Sequence, residues 1–553
     1  MSAIAPLAGL ETLPRADRRL LVACFAAALA ALALGVAYGA GTAFARAGFI
    51  DPGPLAGYRS MTAHAVAIFF YWLYFVQAGL LLAFAAASPA PQWGITWRGL
   101  AWAGLALMLG GFAASLYAVS GGSPLLYDAP PELAGEPSGV VAAFYLGYLA
   151  LGAGLACVSV AGIATTLRPL AAGELEEWPV LSFACAAWAG LLMVSAIAAL
   201  NAFGPAALWA LGLRGMPSDH STAWHILFHN MHYLPLMATV LVWYALVETL
   251  TGVKSILGAR FSKIVFASYL VFVPPTSLYH MFLEPDLAQP VRVAGSLLSL
   301  FISVPTVTVF LVIVVSLEAH ARAQGARGLF GWIRMLPWRN PAMAAIGFAV
   351  VNLAFGGALS FVLIQEKLAP LLSDTFFVPG YFHFLTVGTV TLTFLGALIY
   401  VLPALTGRPA WRTDWLRRMP PMATLGLVLF GGAGVAAGYL GLPRRVLDAG
   451  YDGAAPAAWT LLMSIVGVGA ALMTAALVVY LISLGRCLIP VAPRCATGAL
   501  PVVRWDGTVA ADARAWTGPL AVAVLVGLMV VFTVAAFELM KALPLEAVGG
   551  AAH

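Results

Sequence analysis

Apolar residues run along this chain in stretches longer than a soluble core helix needs. Crossing a bilayer takes about 20 mainly apolar residues. Stretches of that kind lie near 20–46, 61–87, 97–120, 138–165, 179–203, 223–250, 262–283, 291–320, 341–365, 376–404, 422–440, 457–485 and 517–541. No soluble domain, linker or repeat of fixed period separates them. The pattern predicts an all-α, polytopic membrane helix bundle of about 12–13 transmembrane helices, with 1–553 forming a single membrane domain. Paired prolines (Pro274-Pro275, Pro420-Pro421) fall toward helix ends, and the many Gly and Ala residues are expected at helix-packing surfaces.

The polar connections give a direction. Arg15, Arg18 and Arg19 precede the first span. Alternate loops then carry Arg98; Lys254, Arg260 and Lys263; Arg322, Arg327, Arg334 and Arg339; Arg408, Arg412, Arg417 and Arg418; and Arg486, Arg494 and Arg504. The intervening loops are mixed or acidic, as with Asp128, Glu132 and Glu136, or Glu284 and Asp286. By the positive-inside rule the N-terminus is cytoplasmic, and an odd number of spans puts the C-terminus outside. The expected location is a bacterial-type inner membrane, crossed many times.

Composition agrees: 62% of residues are hydrophobic and only 9% charged, against roughly 25% charged in soluble domains. The net charge of +5 is modest, and no nucleic-acid partner is expected. Five cysteines without CxxC spacing indicate neither a zinc site nor a disulfide framework. No removable signal peptide is expected.

Ionisable side chains inside a membrane are rare and usually face the bundle interior, so the nine histidines are informative. His64, His229, His232, His280 and His383 all reach the outer third of the membrane, from four different spans. His220, His553, His320 and His225 read as interfacial anchors or packing residues. Two neutral imidazoles at matching depth, His64 and His383, can ligate a heme iron from both faces, giving a low-spin electron-transfer heme of a type the residues do not specify. His225, His229 and His232 share one helical face. With His280 they could hold copper, zinc or iron.

The segment Val378-Pro379-Gly380-Tyr381-Phe382-His383, continuing to Leu402-Pro403-Ala404-Leu405-Thr406-Gly407, resembles the tenth helix of heme–copper oxidase subunit I. Gly328-Leu329-Phe330-Gly331-Trp332-Ile333-Arg334, followed by Leu336-Pro337-Trp338 and Asn340-Pro341, resembles the family's loop before its ninth helix and is closest to the B-class cytochrome c oxidases. Tyr58-Arg59-Ser60 ahead of His64 and Pro443-Arg444-Arg445 match further family motifs. The resemblance is clearest over 58–480, and 517–541 would be an additional C-terminal helix. It implies that His64 and His383 bind the low-spin heme and that Arg444 and Arg445 hold its propionates. It also implies a polar proton path near Tyr244, Glu248, Ser303, Thr306 and Thr308, an electron donor that is a protein or quinol, and a small accessory subunit.

The departures concern the reaction centre. Tyr381 stands where the family has the proximal histidine of the high-spin heme, and Tyr279-His280 replaces two adjacent copper histidines. In the sixth span the family has a His-Pro pair with a tyrosine one turn later. A match anchored on Trp243-Tyr244-Ala245 leaves Met237 or Leu236 at the tyrosine position. Tyrosinate can ligate heme iron. The resemblance therefore implies a respiratory oxidoreductase reducing oxygen or nitric oxide at an atypical second site built on Tyr381, His232 and His280, with a second heme or copper. The alternative is a low-spin heme electron-transfer or sensory protein without turnover.

Overall fold

The computed structural model describes residues 7–88, 90–121, 134–218, 220–274, 303–363, 368–446 and 453–489, with Pro131 and a few positions between 509 and 527. Lipid offers no hydrogen bonds, so a chain this apolar satisfies its backbone within helices. The described residues contain no β-strand, only an isolated bridge between Thr375 and Pro443.

The long helices are α1 (Arg15–Arg46), α2 (Pro54–Ala87), α3 (Arg98–Ser120), α4 (Gly139–Ala171), α5 (Val180–Ala210), α6 (His220–Thr251) and α7 (Gly258–Phe272). They continue with α8 (Ser303–Ala323), α9 (Pro341–Leu363), α10 (Phe377–Thr406), α11 (Met419–Tyr439) and α12 (Ala457–Leu488). Eleven helices among the described residues are long and apolar enough to cross a membrane. The seventh predicted span, 262–283, begins as α7, and its remainder lies outside the described residues. So does most of 517–541, although Thr517 is described. Its backbone N–H donates to the buried Glu318 carboxylate (2.8 Å), which Arg322 also holds at 2.6 Å.

The three helices that carry the histidines of the site are the best enclosed. From Leu73 to Ala87 every residue of α2 is buried, and α6 and α10 are likewise mostly internal, whereas α3 and α9 are largely peripheral. α2 packs on α1, α10 on α9 and α11, and α12 closes the circuit back to α1.

Between helices in lipid the driving force is close packing rather than hydrophobicity, and the glycines supply it. A Cβ on Gly426 of α11 would lie 2.7 Å from the Gly469 carbonyl oxygen of α12, and one on Gly469 only 2.5 Å from Phe430 N. Gly469→Val therefore forces two backbones apart. A loss of about 1–3 kcal/mol is expected from overpacking, visible as a lowered unfolding midpoint in detergent.

Both α2 and α10 contain a π-helical segment: Val66–Trp72 in the first and Phe384–Thr391 in the second. One begins two residues after His64 and the other directly after His383. Such insertions are frequent at functional sites.

Candidate functional site

One cavity of about 820 Å³ runs through the bundle between α1, α2, α6, α8, α9, α10, α11 and α12. Its lining includes His64, His383, Arg444, Arg445, His229, His232, Tyr381, Ser303 and Thr306, so nine of the sequence-predicted site residues share one space. Tyr244 and Glu248, half-buried on α6, are not among its lining residues. His280 lies outside the described residues.

His64 and His383 face each other with ring centroids 6.2 Å apart and planes 11° from parallel. Each ring is fixed by the helix that bears or abuts it. His64 Nδ1 donates to the Gly35 carbonyl oxygen of α1 (2.8 Å), and His383 Nδ1 donates to the Pro379 carbonyl oxygen one turn back (2.7 Å). A carbonyl can only accept, so Nδ1 carries the proton in both rings and Nε2 keeps its lone pair. Gly39 makes room for this geometry: a Cβ there would sit 2.6 Å from His64 Cε1. A first-row metal–imidazole bond is about 2.0–2.1 Å. With each ring centre about 1.1 Å behind its nitrogen, two axial imidazoles on one iron put their centres roughly 6 Å apart. Separation, tautomer and ring orientation all fit a bis-imidazole heme. Phe430 closes the far side of His383, with ring centroids 4.4 Å apart.

The rim is cationic. Arg444 Nη2 bonds Asp374 Oδ1 (3.1 Å), while its Nε is buried and finds no acceptor among the described residues. An orphaned buried guanidinium N–H beside a cavity suits an anionic group such as a propionate. Arg46, at the end of α1, also lines this rim. It donates to the carbonyl oxygens of Arg444 (2.5 Å) and Pro443 (3.4 Å) and lies over the Phe376 ring, 5.5 Å from its centroid.

The second wall belongs to α6 and the start of α10. His232 Nδ1 donates to the Phe228 carbonyl oxygen (3.0 Å), and its ring is boxed by Phe228, Phe382 and Phe69 at 4.0, 4.6 and 5.0 Å. His229 is buried and stands 4.8 Å from the Tyr233 ring. Tyr381 packs near Phe377 and Phe382 and lines the same cavity as Tyr233. On the far side Thr306 Oγ1 and Tyr269 Oη are 2.8 Å apart and buried. His229 and His232 supply two imidazoles. Among the described residues, no three His, Cys, Asp or Glu side chains stand close enough to share a metal ion. A copper site is therefore not completed by these residues. His220 is buried and also lines this cavity, with its Nδ1 on the Ala202 carbonyl oxygen (3.1 Å).

Sequence reasoning passed over Arg46, Gly35, Gly39 and Tyr269. The match anchored on Trp243 set Tyr233 at a copper-histidine position and gave no weight to its place four residues beyond His229. The i, i+4 spacing that joins them was the available signal.

The comparisons with known proteins converge. Residues 19–472 match the family described as cytochrome c and quinol oxidase polypeptide I. Cytochrome c oxidase subunit 1 of Thermus thermophilus is 29% identical over 425 residues, covering 74% of this chain and 73% of the relative. Cytochrome c oxidase polypeptide 1 of Halobacterium salinarum is 30% identical over 128 residues, 21% of this chain and 20% of that one. A chain of a solved heme–copper terminal oxidase dimer superposes with a TM-score of 0.78 at 20% identity, covering 95% of this chain and 92% of the other. That likeness carries the fold, and the family match over most of the chain carries the kinship: this membrane protein belongs to the subunit I family of the heme–copper oxidases.

Proposed function

We propose that this chain is the catalytic-type subunit of a respiratory oxidoreductase that reduces oxygen or nitric oxide, with an atypical second site. One observation carries the reading: the His64–His383 pair and the wall of His229, His232, Tyr233 and Tyr381 line a single continuous cavity. An electron arriving at the first therefore has a short path to the second.

His64 and His383 would hold a low-spin heme, which supplies one-electron redox chemistry. Arg444 and Arg445 would neutralise its carboxylates. The Tyr233 hydroxyl beside His229 offers a proton and an electron to a substrate bound against the second wall. Thr306 and Tyr269 offer a hydroxyl step toward that wall, with Tyr244 and Glu248 as candidates further along the same uptake route. Tyr381 suits a tyrosinate-ligated second heme, where an anionic oxygen stabilises ferric iron. With His280 as a third donor, His229 and His232 suit copper. The likeness to B-class enzymes supports electron supply by a protein or quinol and a small accessory subunit.

The second reading is a one-heme electron carrier or sensor. What favours it is Tyr381, which stands where the family has the proximal histidine of the second heme. Pyridine hemochrome and metal analysis separate the two. A second heme or a further metal per chain, together with consumption of oxygen or nitric oxide by the reduced protein, is expected. One heme, no further metal and no consumption would establish the carrier. Tyr381→Phe, which removes one oxygen atom at nearly constant volume, should change the spectrum or metal content.

The orientation proposed is N-terminus cytoplasmic, C-terminus outside. Cysteines introduced into the 322–339 loop should resist impermeant reagents in intact cells and react after lysis. Ready labelling from outside would invert the assignment.

A further inference from the structure

The two histidine-bearing helices are joined by a feature that the ligand residues alone do not explain. Trp72 ends the π-helical segment of α2 and Thr391 ends that of α10. Each lies eight residues beyond its histidine. The Trp72 indole Nε1–H donates to Thr391 Oγ1 at 3.1 Å, both residues being buried. A buried indole N–H must be given an acceptor, and here that acceptor is a hydroxyl on the facing helix. A π-helical turn holds one more residue than an α-turn, so side chains beyond it fall on a different face from the one α-periodicity gives. With this displacement in both helices, the two ends meet.

The π-helical segment of α10 is supported rather than incidental. The Thr389 hydroxyl reaches the carbonyl oxygens of Phe384 (3.1 Å) and Ala349 (3.3 Å), and Asn352 Nδ2 reaches that of Gly388 (3.5 Å). On the next turn Trp243 Nε1–H donates to Thr393 Oγ1 (2.8 Å), which ties α6 to α10 independently.

We propose that the paired π-helical segments and the Trp72–Thr391 hydrogen bond form a register clamp that sets the 6.2 Å separation and near-parallel planes of His64 and His383. Trp72 and Thr391 are then positioning residues for the low-spin heme, and the inference rests on that heme being bound as proposed above. Fixing ligand geometry through packed and hydrogen-bonded neighbours is what such supporting residues do at metal sites.

The test is electron paramagnetic resonance of the ferric full-length protein. In a bis-imidazole ferric heme the largest g value rises as the ring planes rotate away from parallel. Thr391→Val, which replaces the hydroxyl by a methyl of equal size, should keep heme stoichiometry and raise that g value. Thr391→Ser should restore the parent signal. Trp72→Phe should shift it in the same sense, and the double variant should shift it no further than the larger single change. Thr393→Val, which cuts the bond to α6, should leave it unchanged. A parent spectrum retained in both Thr391→Val and Trp72→Phe would overturn the clamp. An equal shift in Thr393→Val would also overturn it, by reducing the effect to general loosening of α10. A parent protein without any low-spin bis-imidazole signal is a separate result, because it removes the heme assignment itself.

Discussion

His64→Ala or His383→Ala should abolish the low-spin heme signal while leaving the bundle folded. Each imidazole is one of two facing donors, and both are oriented by backbone carbonyls, Gly35 for one and Pro379 for the other. Alanine at either position leaves a cavity and a single remaining donor, so a six-coordinate iron cannot form. The expected loss is the whole low-spin band, read in the reduced-minus-oxidised spectrum of purified protein, with one heme fewer per chain by pyridine hemochrome. Gly39→Ala should give a weaker version of the same defect, because its new methyl meets the His64 ring rather than deleting it. A low-spin spectrum that survived both histidine changes would place the heme elsewhere.

Tyr233→Phe should lower gas consumption by about 10²–10⁴-fold, the range that a positioned proton donor contributes. The low-spin spectrum should stay intact. The ring it replaces lies 4.8 Å from His229 on the cavity wall, while His64 and His383 are held by Gly35 and Pro379. Phenylalanine keeps that ring contact and removes only the hydroxyl. Oxygen and nitric oxide uptake, measured separately on protein reduced to the same extent, would also reveal which gas is the substrate. Undiminished uptake of both would exclude Tyr233 from the reaction.

The spans were legible because lipid imposes a simple demand on sequence. The predicted 97–120 and 457–485 became Arg98–Ser120 and Ala457–Leu488. Helix ends beyond the apolar windows were less so: α1 starts at Arg15 and α2 at Pro54, both ahead of the predicted 20 and 61. Polar or proline-rich first turns extend helices into the interface without changing hydropathy. The facing of His64 and His383 was readable from shared depth. The π-helical segments were not, since one inserted residue inside an aromatic run such as Val66–Trp72 leaves no mark on composition. Arg46 escaped notice for another reason. A cation closing an apolar helix reads as an interfacial anchor, and only the structure brings it to Pro443 and Arg444, 397 and 398 residues away.

That rim of Arg46, Asp374 and Arg444 also bears on how the protein is made. Three segments remote in sequence are stapled across the mouth of the cavity by backbone as well as side-chain bonds: Arg46 to Pro443 and Arg444, Arg444 N to the Asp374 carbonyl oxygen at 3.0 Å, and Phe376 N to that of Leu442 at 2.7 Å. A heme held between His64 and His383 as proposed would be a rigid macrocycle set behind these staples. Its entry would belong to biogenesis, before the segment at 442–444 docks, and its residence time would follow how often the staples open together.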